Sequence, residues 1–384
     1  MKYRIPLIII ILTSVLPASG KEYIRNIELV RLNVFDRELE NGDNFLYRLA
    51  NKFHIVTKER IIRQELLFKE GDSLAAETLD QSLRNIRALP FIGEISVIKK
   101  PVSDDSVDLE IITEDLWTTA IGFSGEGGGG LYGLTIYADE KNVAGSGIGI
   151  ETNLQFTTDK NNGYLIYITD RRLLGTRLWA DIRFGDLEYQ KEFSLALYRP
   201  FYSLDTRWSF GGSFSSVRLE QRLFYQGEEY FRYKHDYLSF DLFLRRAFGK
   251  YTTAVPGLLF AYSEHDYSEF LPQYPDFGII PADETFSGPG VELRLSTQRF
   301  KTATYLDEFG TTEDLREHVS LKLSSIWSGP TFGGDYEATF VNIESGFFAQ
   351  PASNLYAGLN NAYWHYLVGS RRERITNRLE SIMY

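Results

Sequence analysis

The chain has 384 residues and no cysteine, which excludes a disulfide framework and any cysteine-based metal site. Its formal net charge of −11 leaves no excess of Lys and Arg to neutralise phosphates, so nucleic acid is not an expected partner. Aromatic residues make up 15% of the chain, with 24 Tyr and 27 Phe, a high share for a soluble domain.

In chain order, residues 1–20 read as a secretory signal peptide. Lys2 and Arg4 give a positive start, Pro6 to Leu16 an apolar run, and Ala18 and Gly20 the small residues of a cleavage site. No later stretch reaches the roughly 18–20 apolar residues of a membrane helix. Residues 21–115 mix strand and helix. EYIRNIELVRL predicts a first strand with Ile24, Ile27 and Leu29 apolar. TKERIIRQELLF predicts a helix, with Ile62 and Leu66 four apart and Gly71 ending it. Ser73 is the expected N-cap of a second helix, whose Leu79, Leu83 and Ile86 form one stripe and which Pro90 terminates. GEISVIKK and VDLEIITE then predict two strands joined by a polar turn at Ser103–Ser106. The order is strand, helix, helix, strand, strand.

Residues 116–384 carry no helical period. Instead there are about thirteen or fourteen alternating runs, many of about nine to eleven residues, the length a tilted membrane strand needs. RWSFGGSFSS, residues 207–216, is typical: Trp208, Phe210 and Phe214 share one face, Arg207, Ser209, Ser213 and Ser215 the other. LWADIRFG sets Leu178, Ala180, Ile182 and Phe184 against Asp181 and Arg183. YLSFDLFLRR sets Leu238, Phe240, Leu242 and Leu244 against Ser239, Asp241 and Arg245. Connections at DEKNVAGSG, DRRLLGT and LDTR are short, whereas those around residues 217–232 and 265–285 are expected to be long loops at the other end. An export signal, charges confined to one face, and short turns opposite long loops together predict a lipid-facing β-barrel. The competing reading is a secreted soluble β-protein with Phe210 and Phe214 in its core.

RIIRQELLFKEGDSLAAETLDQSLRNIRALPFIGEISVIKK, residues 60–100, resembles a POTRA domain. With HIVTKE ahead of it, the segment is similar to the last POTRA unit of BamA/TamA-type outer-membrane proteins, the bacterial surface antigen family. NVAGSGIG, TDRRLLGTRLW and ALYRPFYSLDTRW resemble the short periplasmic turns of that family's barrel. The resemblance covers nearly all of residues 22–384. It implies an α+β POTRA domain (β-α-α-β-β) followed by an antiparallel transmembrane β-barrel, sixteen-stranded when complete. Two features depart from the family: no Arg-Gly-Phe/Tyr motif occurs, and the chain stops at RRERITNRLESIMY in what reads as mid-strand. The simplest expectation is a truncated chain; a smaller barrel is the alternative.

The resemblance implies function through backbone. The edge strand Glu94, Ile95, Ser96, Val97, Ile98, Lys99 and Lys100 would accept an extended client segment, unless Lys99 and Lys100 serve only to blunt it. The first barrel strand, Leu116, Trp117, Thr118, Thr119, Ala120, Ile121, Gly122, Phe123 and Ser124, would close weakly against the last and open to a client. Trp117 would also mark the membrane interface. Implied partners are outer-membrane lipid, client outer-membrane or secreted proteins and accessory periplasmic proteins, with the POTRA domain in the periplasm. A passive pore or transporter, or an exporter dedicated to one secreted partner, are the rival readings.

No constellation for an enzyme is visible, and no cofactor or metal is expected. His54, His235, His265, His318 and His365 form no i, i+4 pair. GFSGE lacks the final Gly of a nucleophile elbow, GEGGGG lacks the GK[ST] of a phosphate loop, and GSGIG opens a strand. The acid pairs Glu228–Glu229 and Asp104–Asp105 read as solvated turns, with weak calcium binding as the alternative.

Overall fold

The computed structural model describes residues 22–42, 44–128, 131–158, 162–268, 282–304, 312–352, 355–368 and 371–383. The expected signal peptide lies outside them. The N-terminal part contains β1 (Tyr23–Leu32), α1 (Asp36–Asn41), α2 (Phe45–Phe53), α3 (Glu59–Glu65), α4 (Ala76–Arg87), β2 (Ile92–Ser103) and β3 (Ser106–Asp115). The strands form a sheet in the order β1-β3-β2, β1 parallel and β2 antiparallel to β3. Alternation along β3 buries Val107, Leu109 and Ile111 against Ile61 and Ile62 of α3 and Leu79 and Ile86 of α4.

Three expectations need correction here. Two further helices, α1 and α2, interrupt the predicted strand-helix-helix order. The first predicted helix is one turn shorter than its apolar period: it stops at Glu65, Leu66 turns extended, and Gly71 sits beyond it in a left-handed turn with φ 89°. Ser73 caps nothing; it bridges to Tyr23, and α4 begins after Ala75 without a side-chain cap.

The rest of the chain is one antiparallel sheet. Its strands are β4 (Thr119–Gly128), β5 (Leu131–Glu140), β6 (Ile148–Thr157), β7 (Gly163–Asp170), β8 (Trp179–Leu187), β9 (Gln190–Arg199), β10 (Trp208–Tyr225) and β11 (Glu228–Arg246). They continue as β12 (Phe248–Gly249), β13 (Thr252–Ser268), β14 (Glu284–Thr304), β15 (Thr312–Ser328), β16 (Ala338–Ala352), β17 (Leu355–Val368) and β18 (Arg371–Met383). Neighbours in sequence are neighbours in space from β4 to β18, apart from the short β12, which lies beside β13. The sheet does not close: among the described residues β4 pairs only with β5, and β18 only with β17. No described helix is long and apolar enough to cross a membrane.

The faces answer the question that the alternation raises. Phe210 is 41% exposed and Ser209 only 4%. The same holds along the sheet: Phe240, Leu242, Leu244, Leu258, Leu293 and Leu323 are exposed, while Ser239, Ser287, Glu292 and Asn342 are buried. Apolar outside and polar inside is the order a membrane barrel needs and the reverse of a soluble one. The region around 217–232 is no loop. β10 and β11 run on as an 18- and a 19-residue strand and turn at Gln226 and Gly227, both at positive φ. Residues 269–281 of the second expected long loop lie outside the described residues.

Candidate strand-pairing edges and the domain junction

Two strands of the predicted site offer a free edge. Glu94–Lys100 lies within β2, whose only partner among the described residues is β3. Ile95 and Val97 pack toward the core, while Ser96, Ile98, Lys99 and Lys100 are exposed. Two of the charged residues are engaged: Glu94 accepts from Arg37 at 2.5 Å, and Lys100 pairs with Glu110 at 2.8 Å. Bulges flank the segment at both ends, and Pro101 removes one donor.

The second edge differs from the expected span. Leu116–Thr118 form a connector, and β4 begins at Thr119. Leu116 donates its N–H to the Phe91 carbonyl at 2.9 Å. The Trp117 indole N–H donates to the Thr119 carbonyl at 2.7 Å, its ring half-exposed. Thr118 and Thr119 both donate to the Glu140 carboxylate at 2.5 Å, which pins the base of β4 to β5. Beyond that point Ala120, Ile121, Gly122, Phe123 and Ser124 run up the strand, with Ile121 and Phe123 facing outward. Gly122, Gly125, Gly127 and Gly128 leave it little side-chain packing.

The third feature, absent from the sequence-based expectations, is a polar junction between the N-terminal domain and the turns of the large sheet. In the turn between β7 and β8, Arg172 makes a two-pronged bond to Glu65 of α3. Its Nε lies 2.6 Å from Oε1 and its Nη2 meets Oε2, and both side chains are under 10% exposed. Beside it Arg177 reaches the Leu66 carbonyl and stacks over Tyr202; burial and the neighbouring Arg172 push its pKa down. Between β5 and β6, Asn142 donates to Thr57 Oγ1 at 2.8 Å. Thr57 and His54 in turn bind the buried Asp115 carboxylate at 2.7–2.9 Å. In the same turn the Gly145 carbonyl accepts from Lys58 N at 2.9 Å. Gln81 accepts from Leu204 N at 2.9 Å between β9 and β10. Glu77 meets Lys250 and Tyr251 after β12, and Arg87 forks onto Asp314 at 2.8 Å on β15. The domain thus touches five successive turns or strand ends, round a cavity of about 800 Å³ lined by Arg84, Arg87, Leu116, Tyr202, Arg294 and Arg316 among others.

No family model matches this sequence. Over 161 residues, 40% of this chain and 19% of the relative, it is 27% identical to a protein described as "Putative outer membrane protein assembly factor" of Treponema pallidum (strain Nichols). The chain is similar to BamA/TamA-type outer-membrane proteins. It spans about a fifth of that relative's length. Among solved structures it is similar to BamA from Haemophilus ducreyi lacking POTRA domains 1–3, with TM-score 0.38 and 14% identity over 91% of this chain and 56% of that one. It is also similar to CdiB from Acinetobacter baumannii, with TM-score 0.30 and 10% identity over 95% of this chain and 74% of the other.

The remaining candidates fall apart or regroup. His235 and His265, thirty positions apart, meet across strands with Nε2 and Nδ1 3.0 Å apart, stacked with Tyr267. His54 serves the junction. Glu229 is held by Arg232 at 2.6 Å and by Arg222, and Asp105 accepts from Ser103 in its turn.

Proposed function

We propose that the chain works in the outer membrane as a β-barrel protein of the assembly or translocation class, with its N-terminal domain acting as a POTRA unit in the periplasm. Client outer-membrane or secreted proteins are inserted or translocated by backbone strand pairing at the free edge of β4. One observation carries this reading: among the described residues β4, at one margin of the open sheet as β18 is at the other, pairs only with β5, and it is rich in glycine. An N–H or C=O without a partner costs several kcal/mol in hydrocarbon, so such an edge takes up whatever strand is offered. The edge of β2, with its bulges and Pro101, is the weaker acceptor and suits a transient first contact. A passive pore is disfavoured by the domain held against the turns at one end of the sheet. No cofactor, metal or covalent step enters this proposal.

The test places a photo-crosslinking residue at Gly122 or Ser124 in cells that depend on this copy, and follows other barrel proteins as the copy is depleted. Crosslinks to newly made barrel proteins and a fall in their outer-membrane levels support the reading. Unchanged levels with altered permeability would establish the pore, and loss of a single secreted product would establish the exporter.

A further inference from the structure

The helix α2 is mounted inside out. At 100° per residue, Phe45, Leu46, Leu49 and Phe53 of FLYRLANKF fall within an arc of about 100°, the width of a normal core-facing stripe. In a soluble domain this arc would be buried. Here it is 65%, 67%, 39% and 71% exposed residue by residue, and no residue of the helix is buried. The opposite side holds the helix to the protein. Tyr47 stacks on Phe35 with ring centres 4.5 Å apart. Asn51 accepts from Phe35 N at 3.1 Å, donates to Asp36 at 2.9 Å, and offers its carbonyl to Asn33 at 3.0 Å. The exposed side continues past the C-terminus into Ile55, itself 57% exposed.

Position says what covers this face. The helix ends at His54, which is tied to Asp115 and lies 6.5 Å, ring to ring, from Trp117. The Gly145 turn packs against the carbonyls of Ile55 and Val56. The apolar arc therefore ends at the base of β4 to β6, where the outward band of Ile121, Phe123 and Leu134 begins. Half-exposed Trp117 sits between them, as interfacial aromatics do. The helix carries two basic residues, Arg48 and Lys52, and no acidic one. An apolar arc bordered along one side by cations, continuous with a lipid-facing band, is the composition of a helix lying in a bilayer interface.

We infer that α2 is an interfacial membrane helix, whose Phe45, Leu46, Leu49 and Phe53 enter the leaflet on the side of the N-terminal domain. It fixes that domain to lipid beside β4. The inference rests on the large sheet spanning the membrane, and the experiment separates the two.

The native chain has no cysteine, so single labels need no background removal. Phe53→Cys and Leu46→Cys are labelled with a polarity-sensitive dye in the full chain folded into vesicles of phosphatidylethanolamine and phosphatidylglycerol. Phe123→Cys is the lipid reference and Asp104→Cys, at the exposed β2–β3 turn, the water reference. Quenching is read from lipids carrying a spin label high on the acyl chain and from aqueous iodide. The expected result is a blue-shifted emission at Phe53 and Leu46, lipid quenching comparable to Phe123, and several-fold protection from iodide relative to Asp104. Lipid quenching at Phe123 with Phe53 and Leu46 behaving like Asp104 would overturn the inference alone. Protection from both quenchers would mean that protein, such as a second copy, covers the face, and would overturn it too. Failure of lipid quenching at Phe123 itself would remove the membrane reading and the inference with it.

Discussion

Removing one side of the Glu65–Arg172 pair isolates what holds the N-terminal domain against the turns. In Arg172→Ala, Glu65 keeps its burial but loses both prongs, and only Arg177 remains, 3.9 Å away. Breaking a buried pair from one side costs about 3–5 kcal/mol. Arg177 offsets part of this, so the lower end, about 3 kcal/mol, is expected, equivalent to roughly a hundredfold in the docking equilibrium. Two amides report docking directly, because their acceptors lie across the junction: Lys58 N–H on the Gly145 carbonyl and Leu204 N–H on Gln81. Hydrogen exchange at both should accelerate about a hundredfold in Arg172→Ala, while amides within β3 stay slow. Joint replacement, Glu65→Leu with Arg172→Met, should recover part of the loss, since no carboxylate is left stranded and Arg177 keeps the Leu66 carbonyl and the Tyr202 ring. Exchange within threefold of native in Arg172→Ala would refute the reasoning and move the hold to Asn142 and Arg87.

Other consequences can be measured separately. Phe210→Arg should impair assembly at a cost of roughly 2–4 kcal/mol near the bilayer midplane, whereas Ser209→Ala should be mild; equal tolerance in a folding assay in lipid would contradict the outward placement of Phe210. Gly145 has φ 68°, and a Cβ there would sit 2.5 Å from the Val56 carbonyl oxygen. Gly145→Ala should therefore weaken docking beyond the roughly 1–2 kcal/mol of left-handed strain that Gly227→Ala, with open space around it, would show; hydrogen exchange at Lys58 checks this. Asp108 has its pKa lowered by its bond to Arg25. A depressed carboxyl adds stability above its unfolded pKa of about 3.9 and loses it as pH falls through the lower folded value, so Arg25→Gln should flatten the acid limb of the N-terminal domain's unfolding curve.

The alternation was legible because period two survives whichever face meets lipid. Ser209 and Phe210 read correctly as opposite faces from sequence alone. The stretch 217–232 reads as a loop because it is polar, yet it is strand. Its charges pair across the hairpin, Arg218 with Asp236 and Arg222 with Glu229, on the outward face beyond the apolar band, where a strand no longer meets lipid. Glu65 and Arg172 lie 107 residues apart, and nothing local announces the pair. The one available signal was an acid inside the apolar run of IIRQELLF, a residue that stays ionised when buried only beside a partner. The α1–α2 insertion is hard to read for a related reason: its apolar period is short, and no described residue covers its apolar side.

The two free edges are not equivalent, and the difference follows from where each must survive. An unpaired strand in water invites aggregation, and proteins guard it with bulges, prolines and charge. β2 carries all three: bulges beside Ile92 and Pro101, the proline itself, and Lys99 with Lys100. β4 carries none over Ala120–Gly125, where two glycines and outward Ile121 and Phe123 leave a bare backbone. Such an edge would be a liability in solution. Within a bilayer soluble competitors are absent, and the same bareness becomes a preference for the next strand that arrives. The placement of the guards therefore supports the proposed function, in which β2 meets water and the β4 edge meets client strands within lipid, independently of the exposure of any single side chain.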